Sequence, residues 1–126
     1  MECHVGTESR TWTVPSKYPV STKMVQIKDP VYKMVFLDER ADSINDGWWA
    51  TDPDTLYQIV DYPASYHNKA CGINFADGHS EMHKWTDART MPVLRQGELL
   101  DLNANLPGDK DILWIAQRAA GIAVYP

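Results

Sequence analysis

The chain has 126 residues and a formal net charge of −5, from 12 Lys and Arg against 17 Asp and Glu. Apolar residues make up 44% and charged residues 23%, which is ordinary for a globular protein and excludes a disordered tail, a collagen or a coiled coil. The length predicts a single globular domain over residues 1–126. Because an acidic domain without a basic stripe repels phosphate backbones, nucleic acid is not expected as a partner.

Neither a membrane span nor a secretion signal is expected in this chain. No unbroken apolar run reaches ten residues, whereas a helix that crosses a bilayer needs about 20. The start, MECHVGTESR, has no basic segment followed by an apolar one, so it does not have the pattern of a signal peptide. The two cysteines, Cys3 and Cys71, fit either one disulfide in an oxidising compartment or two free thiols in the cytosol.

The first half of the sequence predicts short strands separated by turns. Residues 24–27 have weak strand character, and the apolar run at 32–37 predicts a largely buried strand. The turn-rich segment 41–47 separates this strand from a further short one at 48–50. Residues 55–60 fit a strand or a helical turn equally well.

The strongest local signal is Asp77-Gly78 between two alternating runs, which predicts a β-hairpin with a two-residue type I′ turn. Such a turn would pair Phe75 with Ser80. It would also divide the side chains between a core face, with Cys71, Ile73, Phe75 and Met82, and a polar face, with Asn74, His79, Glu81 and His83.

A helix is expected near the end of the chain. No period is visible over residues 86–108, but Asp109 is a suitable N-cap and Gly121 a suitable C-terminal stop. Between them, four apolar residues have the spacing of one helix face, namely Ile112, Ile115, Ala116 and Ala119. The whole pattern predicts an α+β domain: an antiparallel sheet with a central Asp-Gly hairpin and a C-terminal helix.

Four segments then stand out as a set. His67 to Gly78 reads HNKACGINFADG, a His followed after nine residues by Asp-Gly. The other segments are KDPVYKMVFLDERADSINDG at 28–47, DYPASYH at 61–67 with FADGHSEMHKWTDART at 75–90, and PGDKDILWIAQR at 107–118. In this order, and over roughly residues 26 to 118, they resemble the blocks of bacterial type II secretion pseudopilin-like proteins with the prepilin-type processing-associated H-x9-DG domain.

The resemblance implies a pilin-like α/β roll, in which the second half of an apolar N-terminal helix packs on an antiparallel sheet. It also implies a structural role, as a minor pseudopilin in a type II secretion or type IV pilus-like system of the envelope. This sequence has no such apolar helix. The expected location is therefore the periplasm or cell envelope if the chain derives from a prepilin precursor, and the cytoplasm if it is free-standing. Other pseudopilin subunits or envelope proteins are the expected partners.

Polar residues near the expected hairpin indicate an alternative function, which depends on a bound metal. His67, Asp77 and His79, together with Asp38 or Glu39 at the end of the buried strand, are suitable ligands for a divalent metal. The histidines favour zinc, whereas the resemblance to classical pseudopilins favours calcium, which loop carbonyls and aspartates would bind. The alternative is a small metal-dependent hydrolase built on this cluster. In a purely structural interpretation, His67, Asp77 and Gly78 only shape the turn and the loop before it.

Overall fold

The computed structural model describes residues 2–3, 21–53 and 57–121. Over these residues the fold is mixed α+β, with largely antiparallel sheets and one C-terminal helix. The elements are β1 (Glu2–Cys3), a 3₁₀ turn (Met24–Gln26), β2 (Met34–Leu37), β3 (Trp48–Trp49), β4 (Gln58–Ile59), β5 (Ala70–Phe75), β6 (Ser80–Lys84), β7 (Ala104–Asn105) and α1 (Lys110–Ala120). Among the residues described, no helix is long and apolar enough to cross a membrane.

The main sheet has the strand order β3-β1-β2-β5-β6, and the small pair β4-β7 forms a second sheet. All neighbours are antiparallel except β1 and β3, which run parallel. A bulge in β2 between Met34 and Phe36 lets Met34 and Leu37 both face the core although they are three residues apart. The predicted strand at 24–27 is wrong: the segment forms a single 3₁₀ turn on the surface.

β5 and β6 lie at one edge of this sheet and not at its centre. They are joined by residues 76–79, and the Gly78 amide donates to the Phe75 carbonyl while the Phe75 amide donates to the His79 carbonyl. Because Phe75 and His79 are hydrogen-bonded to each other, the loop proper has three residues, 76–78, of which only Gly78 has a positive φ (93°). This is a type I turn followed by a left-handed glycine. The predicted two-residue type I′ turn at Asp77-Gly78 is thus wrong.

The longer loop shifts the register by one residue and reverses the faces of β6. Asn74 pairs with Ser80, and Gly72 pairs with Met82. Because side chains alternate along a strand, a shift of one residue moves each of them to the other face. Met82, predicted in the core, is exposed, whereas His83, predicted on the polar face, lies opposite Cys71 on the core side.

Gly78→Ala tests this turn. We expect it to lower the free energy of unfolding by about 1 kcal/mol, because an L-residue is strained at positive φ. A Cβ at Gly78 would meet no atom within 4 Å, so the cost is conformational alone. Gly47→Ala is the matched control, since a Cβ there also meets nothing within 4 Å and Gly47 does not have a positive φ. Thermal melts that show equal stability for both variants would contradict the turn assignment.

α1 is confirmed with the caps that the sequence predicted. The Asp109 side chain accepts hydrogen bonds from the amides of Asp111 and Ile112, and Gly121 ends the helix at φ 70°. The helix faces the core with Ile112, Ile115, Ala116 and Ala119, all of them buried. They pack with the inner face of the main sheet in one hydrophobic core.

The N-terminal turn of α1 is joined to the segment that follows β6. The Asp111 carboxylate accepts from the amides of Thr86 and Asp87, each at 2.8 Å, and from the Thr86 hydroxyl at 3.0 Å. The buried Thr90 hydroxyl donates to the carboxylate of Asp109. The stretch 86–108, which has no sequence period, is therefore fixed at both ends and contributes the buried Leu100 to the core.

Candidate functional site

The H-x9-DG residues lie at opposite ends of β5. His67 precedes the strand, and Asp77 and His79 follow it. The six-residue strand between them is extended, so its ends are about 17 Å apart at 3.3–3.4 Å per residue. The expectation that His67 folds back toward Asp77 is therefore not met by the described chain.

His67 is held by hydrogen bonds of its backbone and not of its ring. Its amide and carbonyl both hydrogen-bond to Ala70, across Asn68 and Lys69 with φ of 54° and 67°. Positive φ at two successive central residues is the type I′ geometry that the sequence pattern predicted at Asp77-Gly78. The exposed imidazole makes no hydrogen bond within the described residues.

Asp77 and His79 form a local pair. Nδ1 of His79 lies 2.5 Å from Oδ1 of Asp77, which also accepts from the His79 amide. The hydrogen bond from His79 lowers the pKa of Asp77. The imidazole stacks on the Phe75 ring, with centroids 4.4 Å apart and nearly parallel planes. These contacts close the turn and position both side chains against the end of β5.

Asp38 and Glu39 diverge although they are neighbours in sequence. Oδ2 of Asp38 lies 3.3 Å from the amide of Gly72, on the exposed side of the sheet. Glu39 pairs through its backbone with Pro63, and its carboxylate oxygens are buried and receive no hydrogen bond of good geometry from the residues described. Of the five side chains proposed as ligands, only Asp77 and His79 thus lie together. In the described part of the chain, no three His, Cys, Asp or Glu side chains form a group that could hold a metal ion.

Glu39 has a carboxyl group with an unusually high pKa. Burial raises its pKa to about 7, the nearby Ser43 hydroxyl lowers it in part, and the carboxylates of Asp61 and Asp46 raise it further. Burial also raises the pKa of Asp61 to about 6, although Asp61 accepts a 2.6 Å hydrogen bond from the Ala50 amide. Both carboxyls therefore keep their protons to a higher pH than usual, Glu39 up to about pH 7 and Asp61 up to about pH 6, which is typical of functional sites and also of buried structural pairs.

Arg40 and Asp42 form a buried ion pair in the segment that follows β2. Nε of Arg40 donates to Oδ1 of Asp42 at 2.5 Å and Nη2 to Oδ2 at 2.9 Å. Arg40 also donates to the Pro92 carbonyl, and Asp42 accepts from the Arg95 amide. Burial raises the pKa of Asp42, but these hydrogen bonds outweigh burial and lower it overall. The pair holds the loop after residue 91 against the sheet, beside a shallow cavity of about 360 Å³.

Cys71 is a free, fully buried thiol. Burial raises its pKa to about 12, and the nearby Asp38 carboxylate adds to the rise. A thiol in this state is a poor nucleophile. The side chain of Cys3 lies outside the described residues. Of the two predicted alternatives, a disulfide or two free thiols, the structure therefore shows only that Cys71 is a free thiol.

The outer face of the main sheet carries exposed apolar side chains that sequence patterns did not indicate. Trp48, Phe36, Asn74 and Ser80 lie in one row of paired residues that also passes through β1. Trp48 is 50% exposed, Phe36 44% and Met82, two residues beyond Ser80, 58%. We call this surface the open face. No local signal predicts it, because the bulge in β2 and the register of β6 decide which side chains point outward.

Comparison of the chain with protein-family models, with curated proteins and with solved structures finds no match.

Proposed function

We propose that this domain is a structural assembly module, a subunit that resembles a minor pseudopilin of a type II secretion or type IV pilus-like system. The observation that carries the proposal is the open face. One face of the main sheet is covered by the core, whereas the other carries two aromatic rings and Met82 at about half exposure. Aromatic and methionine side chains are enriched where protein subunits meet, and exposed apolar groups gain free energy when a partner removes them from water.

The four sequence blocks supply the class of partner. They resemble the blocks of pseudopilin-like proteins in their order, and the block around β2 contains Phe36 while the hairpin block contains Met82. The proposal includes the pilin-like α/β roll as the fold relationship and the cell envelope as the location. The partners are other pseudopilin subunits or envelope proteins that present an apolar surface to the open face.

Photo-crosslinking in the cells that express the protein tests this role. A photoreactive phenylalanine analogue replaces Phe36 on the open face, and the same analogue at Val93, which is 90% exposed on the loop after β6, is the control. We expect adducts from position 36 that mass spectrometry identifies as pilin-like or secretion-fibre subunits, and none of these from position 93. Identical adducts from both positions, or only soluble cytosolic proteins at position 36, would overturn the proposal.

A further inference from the structure

β6 is an edge strand with an open row of backbone groups. The hydrogen bonds from the Phe75 amide to the His79 carbonyl and from the Trp85 amide to the Lys69 carbonyl fix which residues of β6 face β5. Because hydrogen-bonded and non-hydrogen-bonded pairs alternate in an antiparallel ladder, Glu81 and His83 point their N–H and C=O groups to β5. Ser80, Met82 and Lys84 point theirs outward, and none of these groups forms a backbone hydrogen bond within the described residues.

The edge carries two charged side chains, Glu81 and Lys84, but lacks a bulge and a proline, two other devices by which natural sheets discourage pairing. Its pairing with β5 is continuous from Ala70–Lys84 to Asn74–Ser80, so β6 contains no bulge, and it contains no proline. Ser80, Glu81, Met82 and Lys84 are all exposed, so no described segment covers the outer side of the strand. A strand of this kind is a template for one more antiparallel strand.

We propose that β6 pairs antiparallel with β6 of a second copy of this chain, with Met82 on the two-fold axis. In this register Met82 lies opposite Met82, Ser80 opposite Lys84, and Glu81 opposite His83 of the other copy. All three outward-facing residues then lie in hydrogen-bonded pairs, which exchange about six backbone hydrogen bonds in total. The result is a two-fold interface that uses the same surface on both copies and closes without forming a filament.

The side chains of β6 select this register over its neighbours. A shift by one hydrogen-bonded step toward the start of the strand would place Glu81 opposite Glu81, which is a like-charge pair at the closest cross-strand distance. In the proposed register, each Glu81 carboxylate instead faces an imidazole N–H. The stacking of His83 on Trp114, with centroids 3.7 Å apart, holds that imidazole in place before the second copy arrives.

The pairing joins two sheets into one and extends the open face across both copies. Met82 of each copy then lies next to the other on that face, so the apolar surface is doubled around the axis. The β6 pairing deepens the proposed function by naming one partner, a second copy of the chain. It rests on the proposed function only because Met82 belongs to the open face. The two proposals fail separately: a monomeric chain overturns the β6 pairing, whereas the adducts formed at position 36 decide the assembly role.

Sedimentation of the chain over a range of concentrations, with Met82→Pro and Met82→Ser as a matched pair, tests the pairing. Proline removes the outward N–H at the centre of the edge without touching a bond to β5, whereas serine removes the apolar side chain and keeps the N–H. We expect reversible dimers of the parent chain, and for the proline variant a dissociation constant at least about tenfold above that of the serine variant. Equal dissociation constants, or a parent chain that stays monomeric, would overturn the proposal.

Cysteine crosslinking tests the register without relying on the proline variant. Hydrogen-bonded antiparallel partners have Cα atoms about 5.5 Å apart, within the range of a disulfide. Met82→Cys is therefore expected to give a covalent dimer under mild oxidation. Lys84→Cys is not, because residue 84 would lie about 13 Å from its own copy. The parent chain run beside them accounts for its own thiols, and a covalent dimer from position 84 but not from position 82 would overturn the register.

Discussion

Replacing Asp42 with Ala is expected to lower the free energy of unfolding by about 3–5 kcal/mol. The substitution removes both hydrogen bonds to Arg40 and leaves a guanidinium that is 98% buried, because the Arg40 side chain has a relative exposure of only 2%. It also frees the Arg95 amide, so the loop that Arg40 and Asp42 hold against the sheet loses one of its attachments. Urea unfolding followed by circular dichroism measures the loss.

The chain contains its own control for this experiment. Asp87 and Arg89 also form a bidentate pair two residues apart, but the Arg89 side chain is 44% exposed and that of Asp87 is 24% exposed. Asp87→Ala is expected to cost only a small fraction of the Asp42 effect, because water solvates the Arg89 guanidinium when its partner is lost. Losses of similar size in the two variants would contradict the assignment of Arg40–Asp42 as a buried, stability-determining pair.

Stability should fall as the pH rises from about 4.5 to about 7, and Glu39→Gln should remove much of that dependence. The folded-state pKa of Glu39, about 7, lies above its ordinary value of 4.5. The unfolded chain therefore releases the proton first, and the folded state loses stability as the pH passes through this window. We expect a total change of roughly 2 kcal/mol for Glu39, allowing for the partial exposure of the residue. Asp61, with its pKa raised to about 6, adds a change of the same sign between about pH 4 and pH 6.

The comparison is made by chemical unfolding at pH 4.5 and pH 8. Glu39→Gln should match the parent chain at pH 4.5 and exceed its stability at pH 8, because glutamine carries no charge to bury. Glu98→Gln, at an exposed carboxylate on the loop, is the control and should follow the parent at both pH values. A Glu39→Gln variant that is less stable than the parent at pH 8 would mean that the carboxylate has a favourable partner.

The helix could be predicted because its signals are local. Asp109, the spacings of three and four residues between Ile112, Ile115 and Ala119, and Gly121 all act within thirteen residues, and each has the role that the sequence assigned to it. The β5-β6 turn shows where local signals fail. Asp-Gly fits both a two-residue and a three-residue loop, because Gly78 takes positive φ in either, and only the strand pairing decides between them.

The candidate site was less predictable, because it depends on contacts between distant segments. Glu39 was expected to be a metal ligand, but the bridge to Pro63 buries its carboxylate near Asp61, and no spacing in the sequence relates these two residues. Arg40 and Asp42 pair with each other, and both also hydrogen-bond to the loop after residue 91, a distant contact that no local pattern indicates. The extended geometry of β5 also keeps His67 away from Asp77, a separation that a motif of fixed spacing does not reveal.

The hydrogen bonds from Thr86 and Asp87 to Asp111 have a consequence for how the molecule opens. These two amides lie outside every strand, yet their acceptor is a carboxylate in the first turn of α1. Their exchange with deuterated solvent should therefore be as slow as that of the amides inside the helix, and it should accelerate together with them when denaturant is added. The C-terminal helix and the segment after β6 would then open as one cooperative unit, although more than twenty residues of chain, β7 among them, lie between Asp87 and the helix.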